Sequence, residues 1–210
     1  GGTFITDKAD YKSVFIPEEF TEEQIAIRDM VKDFCIKEIH GLGLEKVATM
    51  DAEKDHDLVI EQLEKSAELG LCGVAIGEEH GGIDLDFNTG LLFGEAIALS
   101  FSFATTIGAH TSIGSLPIVY YGTQAQKDKY LPGVANATIK AAYALTEPSA
   151  GSDANSGKTK ATLNAEKTHY ILNGQKMWIT NGGFADIFIV FAKIDEDENL
   201  SAFIVERNFG

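Results

Sequence analysis

Residues 142–153 read Ala-Tyr-Ala-Leu-Thr-Glu-Pro-Ser-Ala-Gly-Ser-Asp, and the chain changes character within this stretch. A mostly apolar, strand-like run over 139–145 ends in hydroxyls, small residues and one proline. Pro, Gly, Ser and Asp are common turn residues, so a surface turn is one interpretation. Small residues also let a ligand approach the backbone, where free N–H groups can face an anion. The stretch alone leaves a turn and a ligand-binding edge both open.

The patterns on either side of this stretch differ. Upstream, apolar residues follow helical spacing; Thr21 and Gln24 form the pattern of a capping box, and Pro132-Gly133 is a predicted helix end. Downstream, period-two alternation predicts six short strands, at 139–145, 158–164, 169–172, 176–179, 187–192 and 202–206. Asn173-Gly174 is typical of a hairpin turn between two of them. The order predicts an α+β fold, with an α-helical domain over 1–137 and an antiparallel β domain over 138–210.

Composition bounds the function classes. The chain has 210 residues, of which 44% are hydrophobic, so it can form a packed core. Its net charge of −15 and the lack of a basic stripe argue against nucleic acid as a partner. No apolar run reaches transmembrane length, so we expect no membrane span. Cys35 and Cys72 are predicted to be buried thiols of a reducing compartment rather than a disulfide.

Several familiar sites are not matched by the sequence. The glycines at 41 and 43 begin like a dinucleotide fingerprint, but the third glycine and a preceding strand are missing. The five histidines lack metal-ligand spacing, so we expect them to be surface or capped histidines and predict no metal site. His110, at the edge of an apolar helix, is predicted to have a structural role rather than a catalytic one.

A second informative stretch is Gly-Gln-Lys-Met-Trp-Ile-Thr-Asn-Gly-Gly at residues 174–183. It holds the only tryptophan of the chain, and a strand there would place Trp178 and Thr180 on one face. An indole and a hydroxyl on one face could flank a flat heterocycle and hydrogen-bond its ring nitrogen. The alternative is a tryptophan packed in the core, which is the commoner use of this residue.

Taken together, the two stretches resemble the acyl-CoA dehydrogenase family. The segment 144–153 matches that family's first signature, and 176–183 matches its second characteristic block, at the expected spacing. The resemblance covers nearly the whole chain from Phe20 onward. Stretches at 15–21, 108–114 and 186–192 look most like the very-long-chain branch. The family resemblance implies a helical domain followed by a β-barrel-like middle domain. The family's C-terminal four-helix bundle would lie beyond the residues present here.

The resemblance also implies roles for individual positions. Eight residues would bind FAD: Tyr143, Leu145, Thr146, Gly151, Ser152, Trp178, Ile179 and Thr180. Thr146 would bond the pyrimidine edge of the isoalloxazine, Trp178 would pack against the ring, and the Thr180 hydroxyl would reach N5. Ser152 would also meet the acyl-CoA. Gly114 would lie near the floor of the acyl pocket, where a missing side chain lengthens the cavity.

The implied reaction is α,β-dehydrogenation of a fatty acyl-CoA thioester, as in fatty acid β-oxidation. The family's catalytic glutamate lies C-terminal to the residues present here, so no catalytic residue is assigned; Glu147 is expected to be structural. The family suggests electron-transfer flavoprotein as acceptor, a homodimer or homotetramer, and the mitochondrial matrix, with a bacterial cytoplasm as the alternative. An acyl-CoA oxidase of the same fold and a non-catalytic acyl-CoA or flavin binding module stay open.

Overall fold

Helices make up the N-terminal part of the protein and strands the C-terminal part, as predicted. The computed structural model describes residue 12 and residues 14–43, 45–47 and 56–209. The outer ends of the two predicted domains, 1–11 and 210, therefore lie outside the described residues. The helix bounds are α1 Glu22–Phe34, α2 His56–Glu68, α3 Phe87–Ile97, α4 Ser102–Thr111, α5 Leu116–Tyr121 and α6 Gln124–Ala135.

The predicted capping box is confirmed at the start of α1. The Thr21 hydroxyl accepts from the Gln24 N–H at 3.2 Å, and the Gln24 side-chain oxygen accepts from the Thr21 N–H at 3.0 Å. The same arrangement recurs at α6, where Thr123 and Gln126 form a second box. These short-range bonds satisfy backbone donors that a helix start leaves free, which is why sequence predicts them well.

The predicted end of α6 at Pro132-Gly133 is wrong, because the helix runs through Pro132 to Ala135. Proline removes one backbone donor, but Val134 and Ala135 are buried in the core beyond it. The Ile139 N–H then donates to the Gly133 carbonyl at 2.8 Å and closes the end of the helix. Burial of the last turn outweighs the loss of one hydrogen bond.

Five strands form one mixed sheet, rather than the six antiparallel strands predicted. Their bounds are β1 Ala141–Ala144, β2 Lys160–Leu163, β3 Tyr170–Asn173, β4 Ile187–Ile194 and β5 Leu200–Glu206. The central strand β4 pairs in parallel with β1 and β2 and antiparallel with β5, while β2 and β3 pair antiparallel. The α+β order is thus confirmed, but the wholly antiparallel pairing is wrong.

The predicted strand over 176–179 and the hairpin at Asn173-Gly174 are both wrong. Parallel pairing of β1 with β4 requires the chain to return from the end of β1 to its beginning, and residues 174–186 form this return segment. Gly174 allows the backbone to pass close to Thr159 and does not form a hairpin turn. A Cβ at this position would lie 2.3 Å from the Thr159 hydroxyl oxygen. The turn joining β2 to β3 lies instead between Asn164 and His169, whose backbone groups bond at 3.0 Å.

Buried residues of the helical and β domains pack against each other and hold the two domains in contact. Ile118, Leu131 and Val134 of the helices form one apolar cluster with Ile187 and Ile189 of β4. A second cluster lies among the helices and includes Cys35 and Cys72. Both cysteines are buried free thiols, so that part of the prediction is confirmed. Among the described residues, no helix is both long and apolar enough to cross a membrane.

Candidate functional site

The two stretches singled out in the sequence meet at one pocket, which lies where β1 ends against the helical domain. The pocket has a volume of about 240 Å³. Six of the eight predicted flavin-binding residues line it, together with two residues from the end of α4 and the turn after it: Tyr143, Leu145, Thr146, Trp178, Ile179 and Thr180, with Ala109 and Ile113. Three segments about 30 positions apart in sequence therefore form a single concave surface.

Trp178 is the most unusual residue of this pocket. Its side chain is 85% exposed and its φ is +58°, in the left-handed region that non-glycine residues rarely adopt. Trp178 and Thr180 both line the pocket, as predicted. The predicted reason, a strand that places them on one face, is wrong, because both residues lie in the return segment. The core-tryptophan alternative is also wrong. An exposed indole held in a strained backbone conformation is typical of a binding surface rather than of packing.

Three side-chain hydroxyl groups can form hydrogen bonds with a ligand in the pocket. Within the described part of the chain, Tyr143, Thr146 and Thr180 have no side-chain hydrogen-bond partner. Burial raises the pKa of the Tyr143 hydroxyl, so it stays protonated and can donate. Leu145 and Ile179 contribute apolar surface beside them. An aromatic plane, aliphatic walls and a few unpaired hydroxyls suit a flat, heteroatom-bearing ligand.

A buried carboxylate holds the first stretch in place. Glu147 is 5% exposed and accepts from the backbone N–H groups of Lys158 at 2.6 Å and Thr159 at 3.0 Å. Its own backbone exchanges two hydrogen bonds with Ala150, closing the turn that contains Pro148. Pro, Ser and Gly here do form a turn, as one interpretation of the opening stretch proposed, and the turn borders the pocket.

Lys176 joins the second stretch to the first. Its ammonium lies 2.8 Å from the Glu147 carboxylate and donates to the Leu145 carbonyl at 2.9 Å, with both charged side chains largely buried. One residue later, the Met177 N–H donates to the Thr146 carbonyl at 3.0 Å. Sequence reasoning missed Lys176, although a lone charge between a strand end and the tryptophan is a usable signal.

The bonds to Glu147 outweigh its burial. Desolvation raises the pKa of the carboxyl, but hydrogen bonds from Lys176, Thr159 and Lys158 together lower it to about 2. The carboxylate is therefore ionised, and its oxygens already accept hydrogen bonds from Lys176, Lys158 and Thr159. It is not available as a base for proton transfer. These contacts support the structural role expected for Glu147.

The remaining predicted site residues do not line the pocket. Gly151 and Ser152 are exposed residues of the bend after Ala150, and a Cβ on Gly151 would meet open space. A Cβ on Gly114 would lie 2.8 Å from the Ala109 carbonyl oxygen and 2.9 Å from the Ala141 Cβ. The space beside Gly114 is thus filled by protein, so the reason given for its role, a lengthened cavity, is wrong. Its contact with substrate and those of Gly151 and Ser152 stay predictions.

His110 positions the helical wall of the pocket against β1. It is fully buried, lies 2.9 Å from the Val134 carbonyl oxygen through Nε2, and accepts the Ala141 N–H at Nδ1 at 3.1 Å. Nδ1 is thus an acceptor and Nε2 carries the proton. Burial is the main cause that lowers its pKa to about 4. The expected structural role agrees with this geometry, although His110 is a core residue rather than a surface one.

This lowered pKa gives a pH-dependent stability. The unfolded chain binds a proton on His110 below pH 6.5, whereas the folded chain excludes it down to about pH 4. We expect the free energy of unfolding to fall by about 3 kcal/mol at most over that interval as the pH drops. Urea unfolding at about pH 7 and about pH 4.5 measures it. In His110→Gln this component should vanish; an unchanged slope would contradict the assignment.

The described residues that line the pocket carry no acidic side chain and no metal-binding cluster. The lining residues include no aspartate or glutamate. Within the ranges that the structure describes, no cluster of three His, Cys, Asp or Glu side chains could hold a metal ion. The pocket can therefore bind and orient a ligand, but the described residues that line it offer no carboxylate base.

Comparisons with known proteins agree with this arrangement. The family model for the acyl-CoA dehydrogenase N-terminal domain matches residues 21–138, and the model for the middle domain matches 142–209. A probable acyl-CoA dehydrogenase of Bacillus subtilis is 44% identical over 100% of this chain and 34% of its own length. The structure of an acyl-CoA dehydrogenase complexed with FAD from Bacillus anthracis has a TM-score of 0.92 and 47% identity, covering 100% of this chain and 36% of that one.

The very-long-chain resemblance is confirmed in part. The mitochondrial very long-chain specific acyl-CoA dehydrogenase of Rattus norvegicus is 44% identical over 68% of this chain and 23% of its own length. The chain thus spans about a quarter to a third of the length of these relatives. Two family models together match most of its residues, and one relative matches all of it. The chain belongs to the acyl-CoA dehydrogenase family of oxidoreductases, whose N-terminal and middle domains it carries.

Proposed function

We propose that these residues form the FAD-binding surface, and part of the acyl-CoA-binding surface, of an enzyme that dehydrogenates fatty acyl-CoA thioesters. The observation that carries the proposal is the pocket in which exposed Trp178 meets Thr146 and Thr180. The family membership and the FAD held by the similar Bacillus anthracis structure support it.

The residues of the pocket fit an isoalloxazine ring. The indole of Trp178 offers an aromatic face, and Leu145 and Ile179 offer aliphatic contact. The hydroxyls of Thr146 and Thr180 form no hydrogen bond with any described residue. They can therefore hydrogen-bond the ring nitrogens and carbonyls of a flavin. Bound FAD would supply the two-electron acceptor for substrate oxidation. The protein would bind and orient the ring and exclude water from one side of it.

We propose that the catalytic base comes from outside residues 1–210. Among the described residues no carboxylate lines the pocket, and Glu147 is held by Lys176 and two backbone donors. Without a base, the 210-residue chain alone should leave acyl-CoA unreacted, and we expect it to bind FAD weakly. Acyl-CoA that bleached the flavin of this chain alone would contradict the proposed origin of the base.

Thr180 is expected to tune the bound flavin. Its hydroxyl would stabilise negative charge that develops near N5 on reduction. In Thr180→Val the reduction potential of bound FAD should become more negative, while Thr180→Ser should stay near the wild type. Spectroelectrochemical titration of the three FAD-loaded proteins measures the difference. Equal potentials in Thr180→Val and wild type would place the hydroxyl away from N5.

The finer assignments are part of the same proposal. The substrate would be a fatty acyl-CoA, with Ser152 and Gly114 among its contacts, and electron-transfer flavoprotein would accept the electrons. A homodimer or homotetramer is proposed from the resemblance. The compartment stays a prediction, because both mitochondrial and bacterial relatives are similar to this chain.

One experiment separates the candidate functions. The FAD-loaded protein, including whatever region supplies the base, is mixed anaerobically with fatty acyl-CoA and then exposed to air. Bleaching of the flavin followed by slow reoxidation is expected for a dehydrogenase. Rapid formation of peroxide would point to an oxidase of the same fold, and FAD binding without bleaching would point to a binding module.

A further inference from the structure

Three short segments of the chain converge beneath the pocket on one buried ion pair. Residues 145–150 and 174–177 each lead directly into a wall of the pocket, and residues 157–159 lie between them. Glu147 accepts from Lys158 and Thr159 of the middle segment and from Lys176 of the last one. Lys176 itself does not line the pocket.

The contacts between the two wall segments follow one another along the chain. Lys176 bonds the carbonyl of Leu145 and the carboxylate of Glu147, the two neighbours of Thr146. Met177 bonds the carbonyl of Thr146 itself. Trp178 comes next and takes a positive φ, although it has a large side chain and is 85% exposed. Its own packing cannot impose that conformation, so the bonds of the neighbouring residues must hold it. Lys176 and Met177 make such bonds directly before it, and Asn181 is held after it through its side chain by the Thr106 and Ala141 carbonyls.

We propose that Lys176 and Glu147 are positioning residues, which fix Trp178 and Thr146 relative to each other before any ligand binds. This inference rests on the proposed flavin function for its ligand, but not for its geometry. The pair acts through the backbone of 145–147 and 176–178, and neither of its side chains lines the pocket. A preorganised surface binds more tightly because less freedom is lost on binding.

The only tryptophan of the chain gives a direct readout, which needs neither catalysis nor FAD. We expect Lys176→Met to lower the fluorescence anisotropy of Trp178 in the ligand-free protein and to raise the Kd for FAD at least about tenfold. Lys176→Arg, which keeps a cationic donor, should recover part of both. Steady-state and time-resolved emission measure the first quantity, and flavin fluorescence titration measures the second.

Lys140 offers a matched control. Its ion pair with Glu64 has the same 2.8 Å length, and its side chain is 13% exposed against 12% for Lys176. Lys140 does not line the pocket. Lys140→Met should therefore leave the Trp178 anisotropy and the Kd for FAD unchanged. Equal changes of the Trp178 anisotropy and of the Kd for FAD in Lys140→Met and Lys176→Met would overturn the proposal.

A double variant separates positioning from the cost of an unpaired charge. In Lys176→Met with Glu147→Gln, no buried charge is left without its partner, so Tm should recover part of its loss. The positioning role predicts that the low Trp178 anisotropy remains, whereas a purely structural role predicts that it recovers with Tm. If wild-type protein binds no FAD, the proposed function fails, but the anisotropy comparison still tests the positioning role.

Discussion

Trp178→Ala is expected to lose most of the affinity for FAD while keeping the stability of the fold. The indole is 85% exposed, so its removal takes little surface from the core and should change the free energy of unfolding by about 0.5 kcal/mol or less. Stacking of a flat ring on an aromatic side chain is worth about 1–3 kcal/mol. The Kd for FAD should therefore rise roughly 5- to 150-fold.

Paired measurements decide this prediction. Flavin fluorescence titration gives the Kd, and urea unfolding gives the stability of the same samples. Trp178→Phe keeps an aromatic face and should lose much less affinity than Trp178→Ala. If Trp178→Ala bound FAD like the wild type, the indole would not be part of the site. A large loss of stability would show that the indole is packed against the folded protein rather than exposed.

Glu147→Ala is expected to destabilise the protein by about 3–5 kcal/mol, because it leaves the buried Lys176 ammonium and two backbone N–H groups without an acceptor. That is a large share of the roughly 5–15 kcal/mol that holds a typical domain together. Glu147→Gln keeps an acceptor and should lose less, which makes it the variant to measure if Glu147→Ala does not fold. Urea unfolding at neutral pH measures both.

The matched control is Glu64→Ala. It removes the acceptor of Lys140 from a pair of the same length, but Glu64 is 54% exposed, so water replaces the carboxylate. The expected loss is below about 1 kcal/mol. If Glu147→Ala and Glu64→Ala cost the same, the hydrogen-bonded carboxylate at 147 does not organise the pocket as described.

The parts of the fold that sequence predicts here are those set by near neighbours. The capping box of Thr21 and Gln24 depends on residues three apart, and it is present. The helix over 102–111 has little local support, because its serine, threonine and glycine residues have weak helix propensity. It forms because Phe103 and Ile107 are buried in the core. Tertiary packing decides such elements, and no local pattern reports it.

In the candidate site, too, sequence predicts what near neighbours set and misses what distant contacts set. Motif spacing brought Thr146, Trp178 and Thr180 together correctly, but the strand that was meant to align the last two does not exist. The alternation over 176–179 looks like a strand, yet the Met177 N–H bonds Thr146 rather than a partner strand. The parallel pairing of β1 with β4, which makes 174–186 a return segment, depends on residues about 45 positions apart. The Glu147–Lys176 pair, separated by 29 positions, was out of reach for the same reason.

The central claim is that FAD lies against Trp178, and a titration of ligand-free protein with FAD tests it most directly. Because the chain has one tryptophan, its emission reports on this pocket alone. The account predicts strong quenching that saturates at one FAD per chain and is reproduced by the ring-bearing fragment riboflavin. Binding of FAD with unchanged Trp178 emission would contradict it.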